Sequence, residues 1–180
     1  SLSLASLKDY KESDLIVMME VRPETQYVSH HKRKLVFLFS AMRHFNEELK
    51  AASYNTKYIK LDDPDNLQSF SENLRVLISE GDLSSIHLTE VGEYRLQQEI
   101  LSWEAKLEIP VVIHEDKRFF ISRSEFAEYS KDRKSLLMEH FYRMMRQKTG
   151  YLMKDGKPLG GKWNYDAKNR NKYRSEEHTS

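Results

Sequence analysis

Carboxylates cluster at the ends of four short apolar segments of this chain. They stand there beside a few other polar residues and one glycine: Glu20, Arg22 and Glu24; Asp62 and Asp63; Thr89, Glu90, Gly92 and Glu93; His114, Glu115 and Asp116. In an open parallel sheet, ligands bind at the carboxyl ends of the strands. Carboxylates accept hydrogen bonds and repel phosphate, so this edge predicts an uncharged heterocycle that carries hydroxyl groups. The alternative is that each acid only caps the helix that follows it.

The motifs of phosphate binding and of common hydrolytic chemistry do not occur in the sequence. Neither GxGxxG nor GxxxxGK[ST] is present, which argues against a dinucleotide or nucleoside triphosphate site. HExxH and GxSxG are missing as well. His30 and His31 are adjacent, so on a helix their side chains diverge by about 100° and do not face one ion. With no cysteine in the chain, disulfides, thiolate ligands and cysteine nucleophiles are excluded, and we predict no metal site.

Hydrophobic periodicity predicts that strands and helices alternate. The first strand is the apolar run 15–21, which ends at Arg22-Pro23 and has the composition of a strand buried on both faces. Apolar residues three and four positions apart predict a long helix over 29–52. The remaining predicted strands are 56–61, 85–88 and 111–113 (with 119–121 as an extension), and the remaining helices are one capped by Asp63-Pro64, 93–107, a short one after Ser122, and 135–148. Such alternation indicates parallel strands in a doubly wound α/β sheet.

The composition is that of a well-solvated protein with an uneven charge distribution. Charged residues make up 32% of the 180 residues, and mean hydropathy is −0.73. We expect no membrane span, no secretory signal and a cytoplasmic location. Residues 1–130 carry 16 Lys or Arg against 22 Asp or Glu, whereas residues 131–180 carry 13 against 6.

The basic segment 131–148 interleaves Phe141 and Tyr142 with Arg143 and Arg146, a pattern that suits weak contact with DNA phosphates. The alternative is a core-packing helix with a solvated basic face. From Lys154 onward the period is lost, which predicts a linker.

Five ordered blocks of the sequence carry a family resemblance: MMEVRPETQYVSHHKRKLVFLFSAMRHFNEEL, YIKLDD, TEVGEYR, RKSLLMEHFYRMMRQKTGYLM and GKPLGGKWNYDAKNR. Together they resemble the N-terminal part of the deoxyribodipyrimidine photolyase-related proteins, the iron–sulfur bacterial branch of the photolyase and cryptochrome superfamily. The resemblance implies a lyase-type flavoprotein that uses blue light to repair ultraviolet-damaged DNA, typically the (6-4) photoproduct, or that senses light. It also implies a Rossmann-like open parallel sheet with flanking helices that binds an antenna chromophore, typically 6,7-dimethyl-8-ribityllumazine.

The resemblance assigns the antenna site residue by residue. The positions are Met19, Val21, Glu24 and Tyr27 after the first strand, Leu38 on the long helix, and Gly92 with Glu93 in TEVGEYR. It implies that Glu24 accepts hydrogen bonds from the pigment and that Gly92 lets the backbone approach the ring. No catalytic or metal-binding residue is implied in this chain.

The sequence also departs from the family pattern. The family's opening strand with its GDQL turn, central in the sheet, is expected before SLSLASL, and Val91 stands where the family usually has Pro. FAD and a 4Fe-4S cluster with its four cysteines are expected in a C-terminal helical domain. We therefore predict an inactive N-terminal fragment, with residues 1–150 as the antenna-binding domain and 151–180 as a linker.

Two other functions remain open at this point. One is a Rossmann-like interaction module whose basic tail contacts nucleic acid. The other is a small flavodoxin-like enzyme, which the missing phosphate loop disfavours.

Overall fold

A computed structural model describes residues 4–81 and 83–165. The chain divides into two units, residues 1–118 and 119–180. The first contains β1 (Ile16–Met19), α1 (Pro23–Gln26), α2 (Lys32–Ala51), β2 (Thr56–Ile59), α3 (Phe70–Glu80), β3 (Ile86–Thr89), α4 (Tyr94–Leu101), α5 (Trp103–Leu107) and β4 (Val111–His114), preceded by a 3₁₀ helix, Ala5–Leu7. The second contains α6 (Arg123–Ser130), α7 (Met138–Thr149), β5 (Met153–Lys154), β6 (Lys157–Pro158) and a 3₁₀ turn, Leu159–Gly161.

The strands of the first unit form two parallel pairs. Ile16 of β1 lies opposite Thr56 of β2. Ile86 of β3 lies opposite Val111 of β4. The predicted parallel α/β class is therefore confirmed. In the described residues the pairs are separate two-stranded sheets rather than one continuous sheet. The family's central strand, expected upstream of this sequence, stays a prediction.

Burial of β1 is less complete than the apolar run predicts. Met19 at the end of the strand is buried, as is Val21 just beyond it, whereas Ile16, Val17 and Met18 are only half-buried. The prediction that this strand is buried on both faces was therefore wrong for these three residues. In the described residues β1 pairs with β2 alone, so its other edge is not covered by a neighbouring strand.

Helices pack against the second strand pair to form the main core of this unit. Ile100, Trp103 and Leu107 of α4 and α5 are buried at its centre. Half-buried apolar side chains surround them: Phe70, Leu74, Ile78, Ile86, Leu88, Val91, Leu96, Ile109 and Val111. The stripes that predicted α3 and α4 are the faces that turn into this core. Near the first strand pair, α2 packs against β2, and Leu49 of this helix is completely buried.

The largest differences from the predicted helix boundaries lie at α3 and at the junction of α4 and α5. The helix expected at Asp63-Pro64 begins only at Phe70, where the Ser69 hydroxyl accepts a bond from the Glu72 amide at 3.4 Å. Gln68, with a φ of +58°, interrupts any helix before that point. The helix expected over 93–107 is two helices that meet at Ser102, whose hydroxyl donates to the Glu99 carbonyl at 2.6 Å.

The second unit is built around an aromatic cluster. The Phe141 ring on α7 lies 5.5 Å from that of Phe126 and 5.4 Å from that of Tyr129, both on α6. Ser122 and Glu125 form the capping box that their spacing predicts. No strand forms at 119–121.

Residues 153–158 form a short antiparallel hairpin. It was not predicted, because the hydrophobic periodicity of the sequence ends in this region and a linker was expected. Its Asp155-Gly156 turn has two positive φ angles, the backbone that Asp-Gly favours in a hairpin. Residues 166–180 of the predicted linker lie outside the described part of the chain. Among the described residues, no helix is long and apolar enough to cross a membrane.

Candidate functional site

Glu20, directly after β1, is a buried anchor for the strand ends. Its carboxylate accepts two hydrogen bonds from the Arg43 guanidinium, at 2.7 and 2.8 Å. It also accepts the Tyr58 hydroxyl at 2.7 Å and the Leu61 amide at 2.9 Å. The Asn66 side chain donates to the Glu20 carbonyl at 2.7 Å. The side chain is fully buried and accepts four hydrogen bonds, so Glu20 joins the ends of β1 and β2 and is not accessible to a ligand.

The pKa of Glu20 reflects this balance. Burial alone would raise it, but the hydrogen bonds from Arg43, Tyr58 and the Leu61 amide outweigh burial and lower the pKa below its ordinary value of 4.5. The pKa of Tyr58 is raised, first by burial and then by its bond to Glu20. Glu20 is therefore ionised and Tyr58 neutral at neutral pH.

The segment after β2 is held by amide side chains. Gln68 donates to the Leu61 carbonyl at 2.8 Å and accepts the Arg22 amide at 3.0 Å. Asp63 accepts the Lys60 amide at 2.6 Å and thereby closes the turn. Asp63, predicted as a rim acid or a helix cap, is thus used to shape the loop.

Arg95, one residue into α4, brings three of the predicted site residues together. Its guanidinium donates to the Glu24 carboxylate at 2.7 Å and to that of Glu93 at 2.9 Å. The same guanidinium lies over the Tyr27 ring, 4.7 Å from the ring centre. The Tyr27 ring in turn meets His30 edge-on, with 5.1 Å between the ring centres.

Each of these side chains is presented by a short turn. Pro23 at the first helical position starts α1 and sets Glu24 in its first turn. Glu93 has an extended backbone immediately before α4, so both it and Arg95 lie at the start of that helix. About half of the Tyr27 surface is exposed. The group therefore offers solvent a flat ring, carboxylate acceptors and a guanidinium donor.

The charge of this cluster differs from the acidic rim expected from sequence. The pKa of Arg95 is raised by its hydrogen bond to Glu24 and by the charges of Glu24 and Glu93, so the guanidinium stays charged. Two carboxylates and one guanidinium leave a net charge of about −1. Because Arg95 neutralises part of the rim, repulsion of phosphate is weaker than the carboxylates alone would produce. The signal in the sequence was an arginine two positions after Glu93.

The other predicted site residues occupy different surroundings. Met19 and Val21 are buried below the surface, and the Asn73 side chain approaches the Met19 sulfur at 3.6 Å. Leu38 on α2 is 44% exposed. A Cβ added to Gly92 would meet no atom within 4 Å, so the chain itself does not require glycine there. The described contacts link none of these four residues to Arg95.

The parallel register of β3 and β4 brings together two histidines that looked isolated in the sequence. His87 Nδ1 lies 2.9 Å from His114 Nε2, and His87 Nε2 lies 3.1 Å from the Ser85 hydroxyl. At the end of β4, Arg118 holds Asp116 with two bonds, at 2.9 and 2.7 Å, which lower the pKa of Asp116 to about 2. Asp116 is thus paired with a neighbour in sequence and lies outside the Arg95 cluster.

Parallel strand pairs with flanking helices define an α/β domain, and a polar and aromatic group lies beyond β1 and β3, at the edge where ligands bind in open parallel sheets. The family model for deoxyribodipyrimidine photo-lyase-related protein matches residues 1–180. The chain therefore belongs to the deoxyribodipyrimidine photolyase-related family.

Two relatives match the chain, and they differ in identity and in the share of their length that is covered. The chain is 46% identical over 171 residues to the (6-4) photolyase of Agrobacterium fabrum (strain C58 / ATCC 33970), covering 94% of this chain and 34% of that protein. It is 23% identical over 143 residues to an uncharacterized protein of Acanthamoeba polyphaga mimivirus, covering 76% of this chain and 69% of the relative. The chain thus spans about a third of the length of the photolyase that it matches.

Proposed function

We propose that this chain is the antenna-chromophore domain of a photolyase-like flavoprotein that repairs ultraviolet-damaged DNA in light. The substrate class we propose is the (6-4) photoproduct, in keeping with the name of the Agrobacterium relative, a (6-4) photolyase, with blue-light sensing as the other role. We place this activity in the cytoplasm. The observation that carries the proposal is that Arg95 gathers Glu24, Tyr27 and Glu93, three of the residues that the family resemblance assigns to the pigment.

The proposed pigment is a ribityllumazine, and the described residues fit it. The exposed Tyr27 ring offers an apolar face to a heterocycle. Carboxylate oxygens accept more than one hydrogen bond, so Glu24 and Glu93 can take ribityl or ring donors while they remain paired with Arg95. The open space at Gly92 permits close approach to the backbone. When bound, such a pigment absorbs blue light and passes the excitation energy to the flavin.

The electrostatic preference for a neutral pigment is part of the proposal. The cluster keeps one net negative charge after Arg95 is counted, so a phosphate dianion is disfavoured there and hydroxyl groups are not. In this proposal Met19, Val21 and Leu38 provide the apolar surroundings. FAD and a 4Fe-4S cluster are assigned to a C-terminal domain and to none of these residues.

A second candidate, nucleic-acid contact by segment 131–148, is weakened by what its cations do in the structure. Arg143 pairs with Glu139, and Lys148 pairs with Glu125, each at 2.5 Å. Arg146 is 5% exposed and donates to the carbonyl oxygens of Leu152 and Trp163. Arg133 donates to the Tyr129 carbonyl at 2.9 Å, so four of the six cations are occupied inside the unit.

The pigment proposal predicts the outcome of a titration. Addition of 6,7-dimethyl-8-ribityllumazine to the chain is expected to shift the visible absorption band of the pigment. Gly92→Val is expected to bind at least about tenfold more weakly, because its side chain would fill space that the chain leaves open. An unchanged melting temperature shows that the variant is folded.

Riboflavin 5′-phosphate serves as the comparison ligand, since it also has a ribityl chain but ends in a phosphate. We expect it to bind more weakly than the lumazine. Equal binding of both ligands would contradict the preference for a neutral pigment, and full binding by Gly92→Val would contradict the position of the ring.

A further inference from the structure

A basic patch lies at the start of α2, in a unit whose net charge is negative. Residues 1–118 carry 15 Lys or Arg against 20 Asp or Glu. Within them, the 22 residues 25–46 contain no acid at all, and Lys32, Arg33 and Lys34 follow one another directly. All three side chains are exposed. Positive charge is thus concentrated where the unit is otherwise acidic.

The cations of this patch form no ion pair among the described residues, in contrast to the two arginines that hold the strand ends of the unit. Arg43 is bound to Glu20, and Arg95 is bound to Glu24 and Glu93. For Lys32 and Arg33, by contrast, the described residues provide no ion pair. Lys34 contacts only the His30 ring nitrogen, at 3.2 Å.

Internal stability does not explain the patch either. The first turn of α2 contains three cations and no acid. Cations at this end of a helix are unfavourable, because the helix dipole places partial positive charge there. A helix of 20 residues that tolerates such a first turn suggests that the charges serve a ligand.

The arrangement suits an extended polyanion better than a single small anion. Successive residues on a helix project about 100° apart, so the three side chains fan out and do not converge on one point. Beside them, an open groove is lined by Ser29, His30, His31, Lys32 and Arg33.

We infer that the patch formed by Lys32, Arg33 and Lys34 binds the phosphate backbone of DNA, in a manner independent of sequence. Exposed cations that fan out beside an open groove provide the phosphate contacts that such binding uses. This inference does not rest on the chromophore proposal, since it involves neither Glu24 nor Glu93.

The test is fluorescence anisotropy of an undamaged labelled DNA duplex, without pigment, from 50 to 200 mM salt. Each phosphate contact contributes about 0.9 to the slope of log K against log salt. The triple variant Lys32→Ala/Arg33→Ala/Lys34→Ala is expected to reduce that slope by about 2 to 3 and to bind at least about tenfold more weakly at 50 mM salt. Its melting temperature is expected to stay the same or rise, because the cations oppose the helix dipole.

Two control variants separate this patch from other sources of charge. Lys8→Ala/Lys11→Ala/Lys60→Ala removes three exposed cations scattered over the same unit. Lys131→Ala/Lys134→Ala removes cations of the segment first predicted to contact DNA. Both are expected to keep the wild-type slope. The inference is overturned if the wild-type chain does not bind, if the triple variant keeps the wild-type slope, or if a control lowers the slope as much. Lumazine binding is measured separately, so either proposal can fail alone.

Discussion

Glu20→Ala is expected to lower the free energy of unfolding by about 3 kcal/mol, because it removes one partner of a buried, hydrogen-bonded ion pair. The carboxylate is fully buried, whereas the Arg43 side chain is 48% exposed and can be rehydrated, which keeps the loss at the lower end of the usual range. The Tyr58 hydroxyl and the Leu61 amide lose their acceptor in the same variant. Urea unfolding followed by circular dichroism measures the change.

Glu47→Ala is the matched control. Glu47 lies on the same helix as Arg43 and forms an ion pair with Lys50 at 3.1 Å, but both side chains are mostly exposed. Exposed pairs of this kind contribute little to stability. We expect no measurable change from this variant, and an equal loss in both variants would show that Glu20 is not the anchor described above.

The sign of the pH dependence follows from the lowered pKa of Glu20. The folded state binds this proton more weakly than the unfolded chain does, so the contribution of Glu20 is fully present above its ordinary pKa of 4.5. It is lost as the pH falls below 4.5 and through the folded-state value. The wild-type advantage over Glu20→Gln should therefore shrink from pH 6 towards pH 3, and a constant difference would contradict the assigned pKa direction.

Arg95→Ala is expected to weaken lumazine binding at least tenfold with little change in stability. The variant leaves Glu24 and Glu93 as unpaired neighbouring carboxylates and removes the guanidinium from the face of Tyr27. Hydrogen bonds to charged groups contribute about 1.5–3 kcal/mol, which corresponds to tenfold or more in affinity. The side chains of these ion pairs are 25% to 41% exposed and reach solvent, so their removal should cost the fold little. Absorption titration and thermal unfolding give the two readouts.

Arg118→Ala provides the control for this prediction. Arg118 binds Asp116 with two hydrogen bonds and is 55% exposed, so it resembles Arg95 in chemistry, but Asp116 is not among the residues that the resemblance assigns to the antenna site. We expect this variant to bind the pigment like the wild-type chain. If both arginine variants lose affinity equally, the effect of Arg95 is one of overall charge and not of position.

The alternation of elements was predictable because strand and helix periods differ strongly along this chain. The stripe of α3 and the capping box of Ser122 are local patterns, and the structure confirms both. The start of α3 was missed, since it depends on the backbone at Gln68 and on its bonds to Arg22 and Leu61, which are distant in sequence. The intrinsic helix propensity of the residues does not predict such contacts.

The same distinction separates what was predictable in the site from what was not. Acidic strand ends are visible in the sequence, but their burial is not: Glu20 is enclosed, whereas Glu24 remains accessible. Arg95 acts through a partner 71 residues away, and the histidine pair depends on the register of two strands. Sequence therefore predicted the residue types at this edge, while their roles depended on tertiary contacts.

Amide chemical-shift mapping tests the central claim most directly. Lumazine added to the ¹⁵N-labelled chain should shift the backbone amides of Glu24, Tyr27, Gly92 and Glu93 together with the side-chain Nε–H of Arg95. The amides of Asp116 and Arg118, at the end of β4, should stay in place. Shifts confined to other parts of the chain, or no shifts at saturating pigment, would contradict a pigment site organised by Arg95.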